Sequence, residues 1–268
     1  MSQSSTTSKK TAVITGAASG IGLGLARHAS ELGMNVVLAD RNEQMLRDAA
    51  NSLSGPNLAI ITDVTSESDM VRLRDSAYAE FGQVDLLFNN AGILSSGRCW
   101  EIDAQTWQRS LDINIGGIVN GLRVFVPALL EAKRPARIIN TASVGGFFPA
   151  PFMGPYSVSK YAVVGLTEVL ALELAALGSQ VEVSLLAPGP VKTNILGEDA
   201  PVSTELLMKK MRSMTDRKGM DAADFAGIVF KSIDAGDFWI VPQPDSLDPR
   251  VRKRTDDILE RRSPVQPK

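Results

Sequence analysis

Short apolar runs alternate with amphipathic helical patterns along nearly the whole chain. Seven of these runs predict strands: Thr11–Ile14, Asn35–Ala39, Leu58–Ile61, Val84–Asn89, Arg137–Thr141, Val181–Ala187 and Phe238–Val241. They are rich in Val, Ile and Leu at both odd and even positions, which is typical of strands covered by helices on both sides. Repeated strand–helix alternation with right-handed crossovers predicts an α/β fold, a doubly wound parallel sheet of about seven strands with helices on both faces.

A glycine-rich turn follows the first predicted strand directly and leads into a helix. The turn reads Thr-Gly-Ala-Ala-Ser-Gly-Ile-Gly over residues 15–22. Glycine permits a tight turn, and backbone N–H groups at a positive helix N-terminus bind pyrophosphate. The spacing Gly-x-x-x-Gly-x-Gly differs from the general dinucleotide fingerprint, but strand, turn and helix occur in the required order. We therefore predict a Rossmann-type dinucleotide site whose first contacts are Gly16, Ser19, Gly20, Ile21 and Gly22.

The end of the second predicted strand indicates which dinucleotide binds. Asp40 closes this strand, and a carboxylate there accepts hydrogen bonds from both ribose hydroxyls of NAD and repels a 2′-phosphate. Arg41 follows immediately, and its guanidinium would bind the 2′-phosphate of NADP. Against this, the residue before the second glycine is Ser19 and not a basic residue. The sequence favours NAD as the cofactor and leaves NADP as the alternative.

Tyr156 and Lys160 form a Tyr-x-x-x-Lys pair at the start of a stretch that reads as a helix. Helical residues at this spacing share a face, so the phenol and the ammonium can point into one pocket. A free phenol has a pKa of about 10 and is a poor acid or base at neutral pH. A nearby cation favours phenolate, so we expect Lys160 to lower the pKa of Tyr156 towards the range of acid–base catalysis.

With these residues in hand, the chain resembles the small single-domain branch of the short-chain dehydrogenase/reductase family, over roughly Lys10 to Pro242. Further motifs of that family fall in order along the chain. They are Asp63-Val64 after the third strand, Asn89-Asn90-Ala91-Gly92 at the end of the fourth, Asn114 in a helix, Ser143 after the fifth, and Pro188-Gly189-Pro190-Val191-Lys192-Thr193 after the sixth. The last of these resembles the segment that closes over the nicotinamide carboxamide.

The resemblance implies roles for the matched residues. Tyr156 would exchange a proton with the substrate oxygen, and Lys160 would hydrogen-bond the nicotinamide ribose. Ser143 would hold the substrate oxygen with a preorganised donor. Asn114 would anchor a water that relays protons from Lys160 to solvent. The remaining cofactor contacts implied by the resemblance are Asp63 and Val64 at adenine, with Asn90, Ala91, Gly92, Pro188, Gly189, Val191 and Thr193.

These expectations describe an oxidoreductase that transfers a hydride between NAD(H) and a secondary alcohol or ketone. The segment between Ser143 and Tyr156 would flank the reacting carbon and contains no charge, so we expect a hydrophobic substrate and not a phosphorylated or carboxylate one. The alternative enzyme is an NADPH-dependent ketone reductase. An alternative of another class is a non-catalytic dinucleotide-sensing or scaffold protein, although such proteins usually lose one of the four catalytic groups, all of which are present.

The chain divides into a flexible tail over residues 1–9, a single dehydrogenase domain over 10–247 and a charged C-terminal extension over 248–268. Inside the domain, the segment from Asn194 to Met220 carries Met208, Met211 and Met214, and we predict that it is a mobile substrate lid. The extension is more charged than the short tail expected of the family. It would either cap the site or alter subunit packing, and the sequence leaves both open.

Composition limits the partners and the compartment. A net charge of −2 gives no bulk attraction for nucleic acid or an anionic membrane. One cysteine excludes an internal disulfide, and the single histidine leaves no metal cluster to build. Without a secretory signal or an uncharged apolar run of membrane-spanning length, a cytoplasmic protein is expected. Apolar helices expected at Asp103–Leu130 and Pro155–Leu177 favour a homo-dimer or homo-tetramer.

Overall fold

A single parallel sheet of seven strands forms the centre of the computed structural model, which describes residues 9–196 and 204–264. The strands are β1 Thr11–Thr15, β2 Asn35–Asp40, β3 Asn57–Ile61, β4 Leu86–Asn89, β5 Ala136–Thr141, β6 Val181–Leu186 and β7 Trp239–Ile240. Their order across the sheet is β3-β2-β1-β4-β5-β6-β7. The fold class predicted from the sequence is confirmed. All but the last residue of the predicted N-terminal tail lie outside the described residues.

Helices connect the strands and cover both faces of the sheet. They are α1 Gly20–Glu31, α2 Glu43–Asn51, α3 Glu67–Phe81, α4 Ala104–Leu111, α5 Gly117–Glu131, α6 Gly154–Ala176, α7 Glu205–Lys218, α8 Ala222–Ala235 and α9 Pro244–Leu259. The helix expected at Asp103–Leu130 is continuous but changes pitch, because a π-helical turn at Asp112–Gly116 joins α4 to α5. Such a turn inside an α-helix frequently marks a functional site.

Two apolar cores lie on opposite faces of the sheet. Because successive side chains in a strand point to opposite faces, Ile14 and Phe88 enter one core and Val13 and Leu87 enter the other, and all four side chains are fully buried. Helices α1, α2 and α8 supply the first core, and α3, α5 and α6 supply the second. Burial on both faces explains why the strands are apolar at odd and even positions alike.

The continuous helical run Ala104–Glu131 has a length and hydropathy that would suit a membrane span. In this fold, its apolar side chains pack into the core of the protein. Ile118, Phe125 and Leu129 are almost completely buried in the second core, against the sheet and its neighbouring helices. The composition of the run is accounted for by its place as a core helix.

The strand order reverses between β1 and β4, and hydrogen bonds join the carboxyl ends of these two strands. The Thr15 hydroxyl accepts hydrogen bonds from the backbone N–H groups of Asn90 at 2.9 Å and Ala91 at 3.1 Å. The Asn90 amide donates in return to the Thr15 carbonyl at 2.9 Å. Connections from the two strands leave to opposite faces here, which opens the crevice where ligands of doubly wound sheets bind.

Candidate active site

A cavity of about 1330 Å³ opens at the carboxyl ends of the strands, above the junction of β1 and β4. This volume exceeds that of a typical small-molecule pocket and leaves room for a dinucleotide beside a second ligand. All but one of the site residues predicted from the sequence line this cavity. The exception is Asn114. The fold therefore brings the glycine turn and the Tyr156–Lys160 pair into one space.

The glycine turn provides a cradle for an anion at the N-terminus of α1. Gly16 and Gly20 have positive φ angles of 65° and 54°, which favour glycine. A methyl group on Gly22 would lie only 2.1 Å from the Gly16 carbonyl oxygen. The Ser19 side chain does not cap the helix, and the first turn contains no acidic residue. The N–H groups there are free for a ligand, so these residues fit a pyrophosphate.

Asp40 and Arg41 both line the far end of the cavity, beyond the glycine turn. The Asp40 carboxylate is held by the backbone, because it accepts hydrogen bonds from Ala18 N at 3.2 Å and from Asn42 N at 3.0 Å. Arg41 forms no ion pair or hydrogen bond with another described residue. A fixed carboxylate and a free guanidinium therefore stand side by side where a ribose would bind.

The predicted catalytic groups meet where β5 ends and α6 begins. Ser143 follows β5, and its hydroxyl accepts a hydrogen bond from Gly145 N at 3.1 Å. A methyl group on Gly145 would lie 3.4 Å from Tyr156 Cε1 and 3.5 Å from Ser143 Oγ, so the ring and the hydroxyl are neighbours. Lys160 is buried one turn further along α6, and its Nζ donates to the Thr141 carbonyl at 2.8 Å.

Burial sets the protonation of both groups on α6. It lowers the pKa of Lys160 to about 8, because a charged ammonium is poorly solvated there. Burial also raises the pKa of Tyr156, and a hydrogen bond with Ser143 offsets this only in part. The expectation that Lys160 lowers the pKa of Tyr156 is therefore wrong for this arrangement. The Lys160 Nζ lies 5.8 Å from the centre of the phenol ring, and its bond goes to Thr141.

Asn114 lies behind the cavity wall and not on it. Its side chain is completely buried in the π-helical turn. The Oδ1 atom accepts a hydrogen bond from Ile93 N at 2.8 Å, and Nδ2 donates to the Ile93 carbonyl at 2.9 Å. Asn114 thus fixes the segment after Gly92, and a methyl group on Gly92 would lie 3.2 Å from Asn114 Oδ1 and 3.5 Å from Lys160 Nζ. Its predicted part in a proton relay stays a prediction.

The segment after β6 is held against the cavity by the C-terminal helix. The Gln243 carboxamide accepts a hydrogen bond from Gly189 N at 2.8 Å and donates to the Pro190 carbonyl at 2.6 Å. Gln243 immediately precedes α9, so the predicted domain boundary at residue 248 falls inside this helix. The first turns of α9, including Ser246 and Arg250, form part of the cavity wall.

The predicted lid is largely helical where the structure describes it. A short 3₁₀ turn covers Asn194–Leu196, residues 197–203 lie outside the described range, and α7 follows. Met211 and Met214 line the cavity, whereas Met208 is buried with 1% of its surface exposed. Two of the three methionines thus face the cavity, and the third is buried. The closing movement stays a prediction.

Comparison with known proteins identifies the family. The family model for short chain dehydrogenase matches residues 10–202. The chain belongs to the short-chain dehydrogenase family. It is 30% identical to the CLA biosynthesis dehydrogenase/reductase of Lactiplantibacillus plantarum, over 93% of each chain. It is 32% identical to the 1-deoxy-11-beta-hydroxypentalenate dehydrogenase of Streptomyces exfoliatus, over 93% of this chain and 88% of the relative.

A solved structure shows the same architecture over nearly the full length. It is that of a short-chain dehydrogenase/reductase from Burkholderia phymatum in complex with NAD, which is 37% identical. The two align with a TM-score of 0.91 over 97% of this chain and 98% of the other. The present protein is therefore an oxidoreductase of the same family, as the resemblance in its motifs implied.

Three polar residues that shape this dehydrogenase site were missed in the sequence. Thr15 joins β1 to β4, Thr141 binds the Lys160 ammonium through its carbonyl, and Gln243 fastens the segment at Gly189. Thr15 and Thr141 are polar residues at the last position of apolar strands, and that position was the available signal. Gln243 had no signal, because its partners lie more than fifty residues away along the chain.

The buried Lys160 gives the stability of this dehydrogenase a defined pH dependence. Its pKa is about 8 when folded and about 10.4 when unfolded. Below the folded value it is charged in both states and the burial penalty is complete. As the pH rises from about 8 towards 10, the folded protein releases its proton first, and the penalty is relieved.

Relative to Lys160→Met, the free energy of unfolding of the native protein should therefore rise by about 1 kcal/mol per pH unit in this window. Urea denaturation at a series of pH values measures the difference. Exposed Lys231 on α8 provides the control, since Lys231→Met should give a difference that does not vary with pH. A flat profile for Lys160→Met would show that folding does not lower the pKa of Lys160.

Proposed function

We propose that this protein is an NAD-dependent dehydrogenase that interconverts a hydrophobic secondary alcohol and its ketone, with Tyr156 as the general acid and base. The observation that carries the proposal is the convergence of Tyr156, Ser143 and Lys160 in the cavity that also holds the glycine turn. An alcohol and a dinucleotide bound in that space would meet at these groups. When bound, the nicotinamide would accept or supply the hydride.

The proton chemistry follows from the environment of each side chain. With a raised pKa, Tyr156 keeps its proton near neutrality and can donate it to the oxygen of a bound ketone. In the oxidation direction the phenol must lose this proton, which its burial opposes and its hydrogen bond with Ser143 favours. Since the pKa of Lys160 is about 8, its charge is available near neutral pH and declines in base. Ser143 would hold the substrate oxygen beside the phenol.

Asp40 supports NAD as the cofactor. Its carboxylate is fixed by Ala18 and Asn42, and it would repel the 2′-phosphate of NADP while accepting the ribose hydroxyls of NAD. The related Burkholderia phymatum protein was solved with NAD. An NADPH-dependent ketone reductase is the second candidate, because Arg41 lines the same end of the cavity without a partner among the described residues.

Apolar side chains form much of the wall around the catalytic groups, which supports a hydrophobic substrate. They are Ile93, Leu94, Phe148, Met153, Met211 and Met214. Methionines adapt to ligands of irregular shape. The names of the two relatives describe dehydrogenases, one of them for a hydroxylated compound, 1-deoxy-11-beta-hydroxypentalenate. A dehydrogenase acting on a hydroxyl group agrees with these names, and a largely hydrophobic substrate agrees with the wall.

We also propose that the protein works in the cytoplasm as a homo-dimer or homo-tetramer. Apolar side chains on the outer face of α6 support assembly, since Val169, Leu172 and Leu177 are 50%, 72% and 68% exposed. A self-complementary patch of this kind suits a two-fold interface. Light scattering at micromolar concentration should give a particle of at least two subunits, and a monomer would contradict the proposal.

Replacing the proposed acid–base group should abolish turnover and spare cofactor binding. Tyr156→Phe removes the phenol hydroxyl, and we expect kcat to fall by about a hundredfold to ten-thousandfold. The ring itself stays, so the affinity for NAD should change little. Steady-state kinetics and NAD titration measure the two quantities. Tyr161→Phe on the same helix is the matched control and should retain activity, whereas near-normal turnover in Tyr156→Phe would contradict the mechanism.

The cofactor preference should depend on one carboxylate. In Asp40→Ser the repulsion of a 2′-phosphate disappears and Arg41 can bind that group, so NADP affinity should rise by at least about tenfold while NAD affinity falls. Titration of both dinucleotides into the native protein and the variant gives the ratio of NADP affinity to NAD affinity. The control Asp48→Ser, on the exposed face of α2, should leave this ratio unchanged. If the native protein already binds NADP more tightly than NAD, Arg41 dominates and the reductase candidate is correct.

A further inference from the structure

The cavity wall outside the predicted cofactor and catalytic residues carries more positive than negative charge. Among the described residues, this remainder of the wall includes three cations, Arg109, Lys218 and Arg250, and one carboxylate, that of Asp245. The sequence-based expectation of an uncharged substrate came from segments beside the catalytic residues, which contain none of these groups. The three cations belong to α4, α7 and α9, so they come together only in the fold.

Arg250 is the cation with a defined position. Its Cζ atom lies 4.7 Å from the centre of the Phe148 ring, within the range of a cation–π contact. Arg250 makes no ion pair or hydrogen bond in the part of the chain that the structure describes. The contact places the guanidinium over the ring, and its N–H groups have no hydrogen-bond partner among the described residues. Those groups bind a carboxylate through two parallel hydrogen bonds.

The start of α9 is fixed relative to the catalytic serine. Its hydrogen bonds through Gln243 hold the segment at Gly189, and the Pro188 carbonyl just before this segment lies 3.5 Å from Ser143 Oγ. A methyl group on Gly189 would lie 2.9 Å from Ser246 Oγ, so the first turn of α9 is packed directly on this segment. Arg250 follows Ser246 by about one helical turn, roughly 6 Å along the axis. The backbone that carries Arg250 is thus fixed relative to Ser143.

We propose that the substrate is an amphiphile, in which a hydrophobic body bears the reacting secondary alcohol or ketone and a carboxylate binds to Arg250. Phe148 serves this substrate twice, as apolar wall and as the platform of the guanidinium. Arg109 and Lys218 add to the positive potential that attracts an anion into the cavity. The inference rests on the proposed dehydrogenase function and narrows its substrate class.

Turnover of matched ketones gives the first test. Methyl ketones of increasing chain length that end in a carboxylate are compared with their own methyl esters, with NADH and NADPH side by side. For the best chain length, the native protein should reduce the acid with a kcat/KM at least about tenfold above that of the ester, as expected for a charge-assisted contact. Equal values for acid and ester at every length would overturn the inference.

Three variants assign the preference to Arg250. Arg250→Gln should lower kcat/KM for the acid to the value for the ester, chiefly by raising KM for the acid. The kcat/KM for the ester should not change. Arg250→Lys keeps the charge but not the paired donors, so part of the preference should survive. Arg252→Gln removes an exposed charge from the same helix, away from the cavity, and should keep the full preference. If Arg250→Gln also keeps it, the carboxylate does not bind there.

A binding experiment separates this inference from the proposed function. Octanoate and octanamide are titrated by calorimetry into the NAD-saturated native protein and the same variants, which requires no turnover. In the native protein and in Arg252→Gln, octanoate should bind at least about tenfold more tightly than octanamide. In Arg250→Lys this difference should be smaller, and in Arg250→Gln the two compounds should bind equally. Equal affinities in the native protein overturn the carboxylate inference. Failure to reduce any ketone with either dinucleotide would instead defeat the proposed function, while the titration still decides the anion site.

Discussion

The junction between the ends of β1 and β4 is the contact on which the rest of the site depends. One hydroxyl, that of Thr15, receives two backbone N–H groups from the chain beyond β4. The backbones approach so closely that a methyl group on Gly16 would lie 2.9 Å from Ala91 Cα. Strand order reverses at this junction, so the chain leaves in two directions and opens a crevice. The glycine turn and the Ile93 segment are both placed by it.

Burial of Lys160 and Tyr156 on α6 affects both the stability of the fold and the pKa values of these two groups. Lys160 is almost wholly enclosed, with 3% of its surface exposed, and this lowers its pKa to about 8. A buried ammonium destabilises the fold, whereas the same burial brings its titration close to the working range of an acid–base site. Tyr156 moves the other way, to a raised pKa. Burial thus shifts both pKa values at a cost in stability, which is expected where function overrides stability.

The C-terminal helix is part of the site and not an appendage. Gln243 binds the backbone on either side of the turn after β6, and Arg250 stacks on Phe148 from the loop that precedes α6. Of the two roles left open for the extension, these contacts favour capping. Residues of α4, α7 and α9, namely Arg109, Lys218 and Arg250, line the same cavity.

The sequence by itself determined the layered fold, the strand positions and most of the site. Strands that are apolar at odd and even positions alike require burial on both faces of the sheet. Local pattern also places the glycine turn, Asp40, Ser143, Tyr156 and Lys160, because each follows a strand or starts a helix. Tertiary structure decided the rest. The pKa of Tyr156 depends on desolvation and on its hydrogen bond with Ser143. Asn114, in a π-helical turn, hydrogen-bonds the backbone of Ile93. The Arg250–Phe148 contact joins residues about a hundred positions apart, and no local periodicity encodes a contact that depends on how α9 docks beside the segment at Gly189.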